Sequence, residues 1–209
     1  MHSCDPCDTL PRIVSSHSDL LAAARRVFSA RGYSGATIER IAEEAGVSRV
    51  TLHRRGVTKD KLLADLVAVA TEDYRRALWP ALTAGGSGAE RLVGALEAHC
   101  AVAEEHMGLL IALQSQAGGV FHEADEGEGS LTRAVFTEPL VRILRDGAAD
   151  GSLRACDPEE TATVLFNIVG WTYLHLRTGH GWPPERALRG VLGPTLHGML
   201  AGPTGGAGR

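Results

Sequence analysis

The stretch Thr37–Lys59 reads TIERIAEEAGVSRVTLHRRGVTK, and its reading decides the fold. Thr37 suits the N-cap of a short helix over 38–45, because a side-chain oxygen there accepts a bond from an otherwise unpaired backbone N–H. Ile38, Ile41 and Ala42 recur at helical spacing and give that helix one apolar face. Gly46 ends it, since the turn needs a backbone conformation that glycine reaches without steric cost. Val47 plugs the turn, and Ser48 caps a second short helix over 49–55. That second helix is read with Val50 and Leu52 inward and Arg49, Thr51, His53 and Arg54 outward. Packing alone explains such an outer face poorly. A helix, a glycine turn and a short second helix form a helix-turn-helix, the arrangement that places side chains in the DNA major groove.

Working outward, Leu20, Leu21, Ala24, Val27 and Phe28 predict a helix over 19–31, with Ser18 as its cap and Gly32 at its C-terminal end. A further helix begins after Thr58 and carries Leu62, Leu63, Leu66, Val69, Ala70 and Tyr74 to about Leu78 or Trp79, where Pro80 and Gly85-Gly86-Ser87-Gly88 stop it. The remainder is helical by pattern, without strand alternation. Residues 89–116 predict one or two helices broken near Met107-Gly108, 121–130 an acidic loop, and 131–146 a helix kinked or restarted at Pro139. Asp157-Pro158-Glu159-Glu160 supplies a cap, a proline for the first helical position and acids for the positive dipole end. The helix it opens is apolar nearly all round to Thr178, so it must be buried on every side: against its own core and against a second subunit. Pro183-Pro184 restart the chain for a last helix over 185–200.

The charge is unevenly spread. From Arg12 to Lys59 nine cations face four anions, a balance of +5, while the whole chain is −4 and the rest is therefore −9. A basic front on an acidic body suits a protein that touches phosphate with one end. Composition is that of an ordinary globular protein, 44% hydrophobic and 22% charged. No apolar run reaches the ~18–20 residues of a membrane span. The first residues lack a basic region followed by an apolar core, which leads to the expectation of a cytoplasmic protein. Cys4 and Cys7 form a CxxC without a second pair, so no metal site is expected; Cys100 and Cys156 are expected as small core residues.

The run LLAAARRVFSARGYSGATIERIAEEAGVSRVTLHRRGVTKDKLL resembles the DNA-binding domain of the TetR family of transcriptional regulators, through Ala24, Phe28, Gly32-Tyr33, Thr37, Ile41-Ala42, Ala45-Gly46-Val47-Ser48, Thr51-Leu52, Lys59 and Leu62-Leu63. The resemblance implies an all-α fold: an N-terminal three-helix helix-turn-helix domain joined by a connecting helix to a larger helical ligand-binding and dimerisation domain. The expected division is a flexible arm at 1–17, the DNA-binding domain at 18–63, the ligand-binding and dimerisation domain at 64–202 and a flexible tail at 203–209. It also implies Arg49, Thr51 and Arg54 at base edges or phosphates, with Tyr33, Thr37, His53 and Lys59 on backbone phosphate. The partners implied are a double-stranded pseudo-palindromic operator, a small-molecule effector and a second copy joined through the last two helices. Two positions depart from the family pattern, His53 for a tyrosine and Gly56 for a phenylalanine. They motivate an alternative: a helical small-molecule sensor whose helix-turn-helix no longer binds DNA.

No enzyme signature emerges, neither a nucleophile elbow, a phosphate-binding glycine loop, a zinc-protease helix nor a dinucleotide fingerprint, so no catalytic residue, cofactor or metal is expected. His99 and His106 lie seven apart on one helical face. Ligand sites are mostly apolar with a few convergent polar groups, and the resemblance puts such a pocket among the middle helices. His99, Met107, Gln114, Phe121, Trp171 and His175 are the candidate lining.

Overall fold

The computed structural model describes residues 16–114 and 133–199, apart from the side chains of 133, 134, 198 and 199. The expected arm before residue 16, Cys4 and Cys7, the acidic stretch 121–130 and the tail from 203 lie outside the described residues. Among those residues the regular elements are helices: α1 (His17–Gly35), α2 (Ile38–Glu44), α3 (Arg49–Arg54), α4 (Lys59–Thr83), α5 (Gly88–Glu105), α6 (Met107–Gln114), α7 (Arg133–Ala149), α8 (Pro158–Thr178) and α9 (Pro184–Met199). The all-α expectation holds.

Local chemistry sets most boundaries. Thr37, Ser48, Thr58, Ser87 and Asp157 each cap the helix that follows, accepting from the backbone N–H three residues on. α1 starts two residues earlier than expected, because Ser16 rather than Ser18 is its cap and forms a reciprocal capping box with Asp19. Gly32 takes the left-handed conformation expected of it, φ 64°, but the chain resumes helix to Gly35 after that kink. α4 runs through Pro80 instead of stopping, since Leu78 and Ala81 on either side are buried in the body and a single missing N–H does not outweigh that packing. α7 likewise continues through Pro139, held by buried Leu140, Val141, Ile143 and Leu144.

Two hydrophobic cores result. The front core gathers Leu20, Phe28, Ile41, Leu52, Leu62 and Leu66, and α6 closes it with Leu109, Ala112 and Leu113. The body core gathers Leu78, Leu92, Leu96, Leu140, Ile143, Leu165 and Val169, among others. α4 therefore serves both, and α6 presses from the body onto α1. That contact is close: a Cβ on Gly108 would lie 1.9 Å from Ser29 Oγ. Arg25 Nη2 also donates to the Glu105 carbonyl across the same junction. In the body, Arg177 of α8 grips Glu104 of α5 through two bonds of 2.6 and 2.7 Å, and Tyr173 donates to the same carboxylate.

One expectation is corrected. Cys156 is exposed in the turn before α8 rather than a core residue, whereas Cys100 is buried as expected. α8 buries Leu165, Val169, Tyr173 and Leu174, yet within this single chain Val164 remains 51% and Ile168 49% exposed.

Candidate nucleic-acid interface and apolar cavity

The outward surface of the front unit is built on Leu52. This residue is 1% exposed and pins α3 to the front core, so the rest of the short helix turns to solvent. Arg49, His53, Arg54 and Arg55 are exposed there. Arg49 Nε reaches Glu39 Oε1 of α2 at 2.9 Å, an exposed pair that a competing phosphate can open at little cost. Thr51 is half-buried and its hydroxyl lies 2.8 Å from Ser48 Oγ.

Val50 was expected inward and is 75% exposed. The reason is geometric: residues two apart on a helix stand roughly 200° apart, so Val50 and Leu52 cannot share a face. That signal was present in the sequence. Val50 thus adds an apolar tip to a basic face.

Beside α3, Lys59 opens α4 and sits with its ammonium 3.8 Å from the centre of the Tyr33 ring, while donating to the Tyr33 carbonyl at 3.2 Å. Tyr33 stacks on Phe28 and its hydroxyl donates to Asp60. Thr37 uses its hydroxyl oxygen to cap α2. Tyr33, Thr37, Arg49, Thr51, His53, Arg54 and Lys59 thus all belong to the front unit. At the departure Gly56, the backbone takes φ 63°, a conformation glycine reaches without strain, and Val57 packs on the front core.

The second feature is an interior cleft where α4, α5, α6, α7 and α8 meet. Val67, Thr71 and Tyr74 enter from α4, His99, Val102 and Ala103 from α5, His106 from the cap between α5 and α6, Leu109, Leu110 and Leu113 from α6, Phe136 from α7 and Phe166 from α8. About 480 Å³ there is not filled by protein atoms, part of it open to solvent. A second lobe continues past His99, Ala103, Leu110 and Phe166 to Asn167, Gly170 and Trp171. His99 stands at the junction. Its ring packs against Tyr74 at 5.5 Å and Phe166 at 4.7 Å, and a Cβ on Gly170 would come within 2.6 Å of its Nε2. Burial pushes the His99 ring down to about 4, partly offset by its bond to the Phe166 carbonyl. Burial also raises the Tyr74 phenol.

Of the candidate lining, His99 and Trp171 belong to this cleft. Met107 is half-buried, while Gln114 and His175 are exposed; none of the three is part of the wall, and the His175 ring instead meets His180 edge-on at 5.0 Å. Phe121 lies outside the described residues. The wall residues that sequence reasoning missed had a signal: Val67, Thr71 and Tyr74 stand at helical spacing on α4, and His106 follows His99 by two turns. His106 Nε2 also meets Asp73 Oδ2 at 3.1 Å, and Glu105 completes a cluster with ligand atoms within 4.8 Å of one another.

A capped helix-turn-helix carried on a helical body with an apolar cleft defines the class, the helix-turn-helix proteins with an appended all-α domain. Residues 20–66 match the family described as bacterial regulatory proteins, tetR family, and residues 85–184 match the tetracyclin repressor-like C-terminal domain. The chain belongs to the TetR family. It is 40% identical over 63 residues to the HTH-type transcriptional repressor AcnR of Corynebacterium efficiens, a match covering 30% of this chain and 32% of that protein. The chain thus spans about a third of the length of this curated relative. Its fold is similar to that of the ketosteroid transcriptional regulator KstR2 of Mycobacterium tuberculosis, with a TM-score of 0.73 at 19% identity over 91% of this chain and 98% of that one. The TetR family transcriptional regulator PfmR from Thermus thermophilus is also similar, with a TM-score of 0.66 at 21% identity over 88% and 95%.

Proposed function

We propose that this protein is a ligand-responsive transcriptional repressor. It binds a pseudo-palindromic operator as a homodimer and releases it when a small molecule enters the body. The observation that carries the reading is the outer face of α3, where Arg49, Val50, His53 and Arg54 are exposed together on a helix anchored by Leu52. Repression rather than activation is favoured by the name of the relative that shares this front unit. Residues 18–63 read DNA, and 64–202 sense and dimerise. Arg49, Thr51 and Arg54 reach base edges or phosphates, and Val50 suits a thymine methyl group. Tyr33, Thr37, His53 and Lys59 hold the backbone. The formed α3–α4 junction, with Gly56 at ease and Val57 packed, speaks against a degenerate reader.

The second copy docks on α8 and α9. Val164 and Ile168 stand one turn apart on α8 as large exposed apolar side chains, which is what an unpaired half of a helical interface leaves visible. Two-fold symmetry then places the two α3 helices on half-sites about one DNA turn apart, ~34 Å. The cleft supplies the response. Its walls include α4 and α6, the same helices that complete the front core. An occupant bound more tightly by one arrangement of these helices shifts the spacing of the readers. The protein acts in the cytoplasm; no described helix is long and apolar enough to cross a membrane.

The test is fluorescence anisotropy with DNA from upstream of the protein's own gene. Arg49→Ala is expected to weaken binding by roughly 5- to 150-fold. Lys59→Ala should weaken it on every sequence and reduce the salt slope by about 1. Parent-like binding by both variants contradicts the reading.

A further inference from the structure

The donors around the cleft are largely spent inside the protein. Thr71 Oγ1 donates to the Val67 carbonyl, the Tyr74 hydroxyl to the Phe136 carbonyl and Asn167 Nδ2 to the Thr163 carbonyl. Among the described residues that line the cleft, one buried side-chain atom is left over: His99 Nδ1 has no hydrogen-bond partner, on a side chain only 6% exposed. The tautomer follows from the other nitrogen. Nε2 lies 3.2 Å from the Phe166 carbonyl, and a carbonyl only accepts, so Nε2 carries the proton and donates. In a neutral ring Nδ1 is then a bare acceptor. A buried acceptor without a partner is costly, so an incoming donor there gains more than it would on the surface.

We infer that the effector is an uncharged, mainly apolar molecule carrying a hydroxyl, an alcohol or phenol whose O–H donates to His99 Nδ1. The inference rests on the reading of this cleft as the effector site. A carboxylate would set its negative charge against the Nδ1 lone pair of a ring that burial keeps neutral at physiological pH, and the wall's other imidazole, His106, already faces the Asp73 carboxylate. A ketone or ester, an acceptor only, would leave Nδ1 unpaired. A hydroxyl on an apolar body satisfies both the wall and this buried, unpartnered acceptor.

The experiment is calorimetric titration of the full chain with four probes on one bicyclic scaffold: naphthalene, 1-naphthol, 1-acetonaphthone and 1-naphthoate. Naphthol is expected to bind about tenfold more tightly than naphthalene, with the ketone no better than naphthalene and the carboxylate the weakest. His99→Leu should remove the advantage of naphthol over naphthalene, whatever it does to the affinity the two share. Tighter binding of the ketone or carboxylate, equal binding of all four, or a naphthol preference that survives His99→Leu overturns the inference while leaving the cleft as the effector site. Failure of all four probes to bind overturns the effector-site reading itself. If His99→Leu does not fold, the ranking on the parent protein decides. Nitrogen resonances of the parent's His99 ring provide an independent measurement: the proton is expected on Nε2, and finding it on Nδ1 overturns the inference.

Discussion

The front core and the body core use similar side chains and end differently. In the front unit Phe28, Ile41, Leu52 and Leu62 are each 1% exposed or less, and the hollow beside Leu62 has charged and polar side chains, Ser16, Arg55, Lys61 and Asp65, in its wall rather than aromatic rings. In the body, the layers around Leu92, Leu96 and Leu140 are as tightly covered, but beside them the rings of Tyr74, His99, Phe136 and Phe166 stand around unfilled space. A closed core holds a recognition surface rigid. An open one leaves volume and unpaired polar capacity for something else to satisfy. α4 and α6 belong to both, so a change in the open core has a mechanical route into the closed one.

Substitutions can break this contrast. The largest effect is expected at Ile41→Ala, which should cost about 2–5 kcal/mol in urea unfolding, because the closed front core cannot collapse around the void. Leu110→Ala, on the half-filled cleft, should cost clearly less; equal losses would mean the cores do not differ. Next comes acid sensitivity. His99 titrates near 4 when folded against an ordinary value of 6.5, so the folded state binds fewer protons than the unfolded chain between those pH values. Stability is then full above the unfolded value and falls as pH drops from there towards 4, by roughly 3 kcal/mol in total. His99→Leu should flatten that fall in pH-dependent thermal melts. Ile168→Glu should weaken self-association at least tenfold, about 1.4 kcal/mol, with a monomer at micromolar concentration by sedimentation; an unchanged dimer would move the interface elsewhere. The smallest change is Gly56→Ala, which forces a side chain into φ 63° and should cost about 1 kcal/mol.

The two cores were also unequally legible. The front unit could be read from sequence because its signals are local: Thr37, Ser48 and Thr58 cap their own helices, Gly46 turns at φ 66°, and Ile41, Ala42 and Leu52 fall in register with them. Its one inward assignment that failed, Val50, broke a spacing rule that the sequence already contained. The cleft is different. It is assembled from side chains on five helices, and nothing local marks Thr71 or Phe136 as neighbours of His99. Periodicity identified the helices and the His99–His106 face, but which helices meet around that face is a matter of tertiary packing. Proline was over-read for the same reason: Pro80 and Pro139 break helices by local rule, and buried neighbours on both sides hold those helices together.

Filling the open core from inside tests most directly whether it governs the closed one. Ala103 is 4% exposed and lines both lobes of the cleft. Ala103→Phe places a ring where an effector would sit and leaves α3 untouched. The measurement is operator affinity of the full-length variant beside its melting temperature. An affinity loss of at least tenfold, about 1.4 kcal/mol, with melting close to the parent's is the expected result. Parent-level DNA affinity in a folded Ala103→Phe protein would contradict the coupling between cavity and reader.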